Sequence, residues 1–259
     1  MPFTLSHAVL APVISKLSRN QLPIAALAIG CMVPDLSRLI SAKSTSGYLA
    51  HLWSSLLYPN LLLGFGFCAL WYVLYRPVIY ELLEIDDPLD LYHFFAWLKF
   101  IMAIGFALIL GNATHLFWDG MTHVDFRTLF GHEFLKQSIS AFGFTYPLHF
   151  VLQITSSAVT LPILLWMCHS YLQQHRCILK TPIKYKKMIF IITAFSVLMG
   201  AISTGHYLLQ FSMPYLLNEP YYFIGRSFNE FTQGFLLTSS LGFGLCLLSR
   251  SFFFTQNER

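Results

Sequence analysis

The chain has 259 residues, of which 56% are hydrophobic, 17% aromatic and only 11% charged. Soluble domains carry about 25% charged residues. This composition, with a mean hydropathy of +0.59, therefore excludes an ordinary water-surrounded globule and fits a polytopic membrane protein. The formal charge of +4 is modest and concentrates in loops flanking apolar segments, so it reads as a topology signal and argues against a nucleic-acid partner.

Residues 5–17 form a short apolar helix with Thr4 or Ser6 as its cap. It falls short of the about 20 residues that cross a bilayer. The opening MPFTLSHAVL has no basic segment ahead of its apolar part, so it is expected to stay in the mature chain. After the turn SRNQLP, Pro23 suits the first turn of a helix. Segment 22–41 has the length of a span, with a bend expected at Pro34 beside Asp35. Further apolar segments follow at 52–75, 94–118, 148–171, 188–210 and 227–249. The expected fold is all-α, a polytopic membrane helical bundle of about six spans plus the short N-terminal helix. It would form a single membrane-embedded domain over 1–259. The five cysteines are scattered without a Cys-x-x-Cys pair, the pattern of small buried hydrophobes.

If 22–41 starts in the cytoplasm, eleven of the sixteen lysines and arginines lie inside. The basic loop 176–187 (RCILKTPIKYKK) contributes most to that count. Both termini are then cytoplasmic or near it.

The stretch Gly111 to Asp125 reads GNATHLFWDGMTHVD. It places His115, Asp119 and His123 at successive spacings of four, which a helix keeps on one face with only about 40° of rotation per step. Imidazole and carboxylate are the usual nitrogen and oxygen ligands of a divalent metal such as zinc. The same topology brings Asp35 and His51 to the outer side, where these three lie. If helix 5–17 folds back on the next helix, His7 falls about 18 Å from the turn, level with residues 31–35. The candidate ligands are therefore His7, Asp35, His51, His115, Asp119 and His123. Glu230, near the outer end of the last span, joins Asp35 as a candidate general base. Asn112 and Thr122 are placed to hydrogen-bond the ligands. His132 and Glu133 read as a solvated loop pair, and His149, His169 and His206 as isolated helix histidines. The aromatic residues fit an interfacial belt.

MPFTLSH, IGCMVPDLSRLI, the histidine before the second span, THLFWDGMTH and LQITSS together carry a resemblance over most of the chain. It resembles the bacterial membrane-protein family catalogued as domain of unknown function 4184. It is more distantly similar to the LexA-regulated inner-membrane proteins grouped by similarity as metal-dependent hydrolases. Those show an N-terminal histidine, a Pro-Asp, a central histidine and a His-x-x-x-Asp in the same order, which implies His7, Asp35, His51, His115 and Asp119 as the site and the bacterial inner membrane as its place. The chain departs from the hydrolase pattern where Leu36 and Ser37 replace a second aspartate and Leu52 replaces a serine. Fewer carboxylates imply fewer bound metals.

The expected function is a membrane-bound metal-dependent hydrolase acting at the outer interface on a lipid or envelope-type substrate. A divalent ion, zinc first, would lower the pKa of a bound water to about 7. Two alternatives use the same polar cluster: a non-catalytic membrane scaffold, and an ion- or proton-coupled transporter.

Overall fold

The computed structural model describes residues 4–40, 44–141, 144–177, 181–212 and 220–255. Five helices are long and apolar enough to cross a membrane, at Trp53–Leu83, Phe94–Thr122, Leu148–His175, Ile183–Leu208 and Phe223–Phe254. The expected helical bundle is what the chain forms, and it has the character of an integral membrane protein. Two compact units share the chain: Met1–Cys68 with Leu89–Tyr171, and Ala69–Pro88 with Leu172–Arg259.

In the first unit a 3-10 turn, Thr4–Val9, runs into α1 (Leu10–Leu17). Arg19 and Asn20 take positive φ values of 54° and 59° and reverse the chain. The Ser15 hydroxyl ties the turn by donating to the Leu22 carbonyl at 2.8 Å. Helix α1 thereby folds back on its successor, as its length and the SRNQLP turn suggested.

The segment 22–41 differs from the continuous span expected of it. It forms two short helices, α2 (Ile24–Gly30) and α3 (Val33–Ile40), separated at Cys31 and Met32. Pro34 has no N–H, and in an unbroken helix its ring would meet the carbonyl of Gly30, four residues earlier. As the second residue of α3 the proline sits where its N–H is not needed. Each piece is about 10–12 Å long, far short of the about 30 Å of hydrocarbon that a span must cover. The described residues therefore hold five spans where about six were expected, and residues 41–43 lie outside the described set.

Next come α4 (Ser44–Ala50), a 3-10 turn at Trp53–Leu56 and α5 (Asn60–Ala69), which continues through a π-helical stretch, Leu70–Tyr75, into α6 (Arg76–Leu83). Helix α7 (Phe94–Thr122) carries the most apolar stretch of the five spans. Helix α2 packs against it at close range. A Cβ at Gly111 would lie 2.5 Å from the Leu27 carbonyl oxygen, and one at Gly30 would lie 2.7 Å from that of Leu108. Only glycine fits at that backbone-to-backbone contact. Beyond α7 lie a single turn, α8 (His132–Leu135), the antiparallel hairpin β1 (Ser138–Ala141) and β2 (Phe144–Pro147), and α9 (Leu148–His175).

The second unit packs α6 with α10 (Ile183–Leu208) and α11 (Pro220–Thr255) around Tyr75, Val78, Tyr185, Ile189, Phe243 and Cys246. The Tyr75 hydroxyl meets Ser239 Oγ at 2.6 Å, which pairs that polar atom within the core. At its edge Lys186 Nζ lies 2.5 Å from Glu84 Oε1.

Candidate metal centre

The last three turns of α7 carry Asn112, His115 and Asp119 on one face, all buried. The close approach of α2 ends at Cys31, whose carbonyl lies 2.7 Å from His115 Nδ1. A carbonyl only accepts, so Nδ1 carries the proton and Nε2 keeps a bare lone pair. His51 repeats the arrangement, with its Nδ1 2.7 Å from the Gly47 carbonyl. Metal-binding histidines are commonly oriented in this way, with the other ring nitrogen donating to a carbonyl.

The two bare Nε2 atoms point into the same buried space. His115 Nε2 is 3.6 Å from Asp119 Oδ2. His51 Nε2 is 3.6 Å from Asp119 Oδ2 and 3.4 Å from Asp35 Oδ1. His7 Nε2 is 3.8 Å from Asp119 Oδ1. These four side chains, His7, His51, His115 and Asp119, are between 1% and 4% exposed. His7 Nδ1, Asp35 Oδ1, His51 Nε2 and His115 Nε2 are buried without a hydrogen-bond partner, which native proteins rarely tolerate without reason. Donors about 2.0–2.2 Å from one ion are at most about 4.4 Å apart, and every distance just given falls inside that limit. His7, His115 and Asp119 form one ligand triad and Asp35, His51 and His115 another, with His115 in both.

Burial, reinforced by the neighbouring His115, pushes His7 down to about 3. Its ring is then neutral at ordinary pH, the state that binds a metal. Burial also lowers His123, to about 4, against the pull of Asp119.

Expected site residues thus gather from four parts of the chain. The Thr4 hydroxyl donates to Asp35 Oδ2 at 2.8 Å, so the N-terminal segment reaches Asp35 as the fold-back arithmetic required. His123 ends α7 and reaches Asp119 Oδ1 at 3.5 Å through Nδ1, yet it belongs to neither triad. Glu230 lies in the second unit, where its carboxylate takes Arg226 at 3.1 Å. His132 and Glu133 are exposed and pair with one another at 3.4 Å. His149 reaches the Leu135 carbonyl at 3.4 Å, and His169 and His206 are exposed.

Three supporting contacts had gone unread in the sequence. Arg127 Nη1 lies 3.0 Å from Asp119 Oδ2, while the rest of its guanidinium fork grips Asp125. Thr4, read only as a cap, holds Asp35. Asn60 donates to the Ala50 carbonyl at 2.7 Å and to Ser55 Oγ at 2.9 Å, fixing the turn that carries His51. Its Nδ2 also lies 3.4 Å from Asn112 Oδ1. The Asp-x-Arg spacing at 125–127 was the one local signal for the first of these.

Arg127→Ala should weaken divalent metal affinity by about 10–100-fold, the usual effect of losing a residue that orients a ligand. A zinc competition titration reads this directly, and unchanged affinity would remove Arg127 from the site's support.

The model of a family described as Domain of unknown function (DUF4184) matches residues 1–239. No curated protein and no solved structure matches the chain.

Proposed function

The chain belongs to the family of unknown function 4184, and from that premise we propose that it is a membrane-bound metal-dependent hydrolase of the bacterial inner membrane. It would act at the outer interface on a lipid or envelope-type ester. The observation that carries this reading is the pair of buried Nε2 atoms on His51 and His115, each aimed inward by a carbonyl on its other nitrogen and each without a hydrogen-bond partner. A scaffold that only held helices together would pair these atoms with donors.

His115 and Asp119, pre-set one helical turn apart, would hold the ion together with His7, His51 and Asp35. Zinc suits this nitrogen and oxygen set. Such an ion supplies a water of lowered pKa and polarises a phosphoryl or acyl oxygen. Asp35 would join the ligands through Oδ1, since Thr4 occupies Oδ2. Arg127 holds Asp119 in the orientation that faces the histidines.

The outer placement rests on the spans from Trp53 onward and so survives the loss of 22–41 as a crossing. With the basic loop 176–187 inside, the end of α7 lies outside, and the N-terminal segment joins it there. The C-terminus then stays cytoplasmic, whereas the N-terminus, expected inside while 22–41 counted as a crossing, lies outside with Lys16 and Arg19. Cysteines introduced at Thr128 and Lys184 should label from outside only and inside only, respectively. The reverse pattern would place the centre on the cytoplasmic face.

Activity is tested with the purified full chain in vesicles of phosphatidylglycerol and phosphatidylethanolamine. Water-soluble headgroup phosphate should appear, stop on addition of a zinc chelator and resume when zinc is restored. Zinc-loaded protein that leaves both lipids and their simple acyl esters intact over hours would contradict the hydrolase reading.

A further inference from the structure

Helix α7 presents the His/Asp cluster on one face and the wall of a cleft on the next. The cleft measures about 920 Å³ and lies between α7 and α9, with Trp53, Phe117, Trp118 and Val159 among its walls. This is within the size range of ligand sites, about 300–1,000 Å³. Trp118 belongs to both features, because its indole also packs edge-on against His7 at 5.8 Å between ring centres. On α7 the cleft residues Thr114, Phe117, Trp118 and Met121 interleave with His115 and Asp119. The cleft's α7 wall runs from Ala113 to Thr122, about 13 Å of helix.

The chemistry of the walls selects the occupant. The cleft's wall residues carry no charge, and its hydroxyls are committed to their own helices. Thr114 donates to the Gly111 carbonyl at 2.6 Å, Thr155 to Val151 at 2.7 Å, Ser156 to Gln153 at 3.1 Å and Thr160 to Ser156 at 2.7 Å. A polar ligand entering here would lose its water and gain little in return, whereas a hydrocarbon loses nothing. Both bordering helices have the length of membrane spans, so the cleft opens where lipid chains are the solvent. Val159 and Phe117 are 60% and 49% exposed on that side.

We propose that this cleft seats one acyl chain of a lipid whose polar head lies at the His/Asp cluster, which makes the substrate an intact lipid. The proposal rests on the metal-centre reading for the head and on the cleft alone for the chain.

The test titrates dipalmitoyl phosphatidic acid into the full chain in dodecyl maltoside, with glycerol 3-phosphate as the head without chains. Zinc content and the thermal midpoint are measured on the same samples. Wild-type protein should bind the lipid saturably at one per chain. Glycerol 3-phosphate should bind at least tenfold more weakly. Val159→Trp and Ser156→Phe, which fill the cleft from α9, should each weaken lipid binding at least tenfold and keep wild-type zinc content and midpoint. Glycerol 3-phosphate binding as tightly as the lipid, or both filled variants binding like wild type, would overturn the cleft assignment. Wild-type protein that binds the lipid saturably and carries no zinc would contradict the metal centre while supporting the cleft.

Discussion

His115→Ala should reduce bound divalent metal from stoichiometric to undetectable while leaving the protein inserted and folded. His115 is the one residue in both ligand triads, so its loss leaves neither with three protein donors. An ion held by two ligands loses most of its affinity, because a chelating site works by having its spacing set in advance. The fold should survive because the substitution opens a small buried void and removes an imidazole whose one hydrogen bond is to the Cys31 carbonyl and whose Nε2 has none. Asp119→Ala should lose the metal as well. It should cost more stability, since Arg127 is then left partly buried without this carboxylate. If the cluster were merely structural, both variants would unfold earlier and neither would change a metal content that was already zero.

The second large effect is expected where no ligand is touched. Gly111→Ala should destabilise the protein by about 1–3 kcal/mol, the usual cost of overpacking, because the new methyl lies 2.5 Å from the Leu27 carbonyl oxygen. That atom is backbone and cannot turn aside, so α2 must back away from α7. The Cys31 carbonyl moves with α2 and leaves His115 Nδ1, and metal affinity should fall by about 10–100-fold. Gly66→Ala is the control, since a Cβ there meets nothing within 4 Å. Both glycines sit in helices and gain the same intrinsic propensity from alanine, about 1 kcal/mol. The difference between their thermal midpoints therefore isolates the close approach. Equal midpoints and equal zinc affinities would show that α2 is not held where the site needs it.

Much of this centre could be read before any coordinates. The four-residue spacing of His115, Asp119 and His123 is a property of the helix itself, and the fold-back of His7 follows from a short helix over 5–17 and a tight turn. Other features depended on contacts that one sequence does not display. Pro34 announced a bend, but a complete break needed the Gly30 carbonyl beneath its ring and the burial of α2 against α7. Gly30 and Gly111 look like ordinary membrane-helix glycines until they face each other's helices. Arg127 reads as a loop cation until the chain turns it back one helical turn onto Asp119. Glu230 was chosen for its position near a helix end, a criterion blind to Arg226 four residues earlier, which takes its carboxylate. His123 shares the face of His115 but ends the helix, and its ring turns to Thr122 and the Asp119 carbonyl.

The buried His/Asp cluster is proposed to hold a divalent cation. Elemental analysis of wild-type protein, purified without chelator and dialysed extensively, tests it most directly. Close to stoichiometric divalent metal, zinc foremost, should be retained through dialysis. Wild-type protein that is folded and carries no divalent metal, and that takes up none when zinc is supplied, would contradict it.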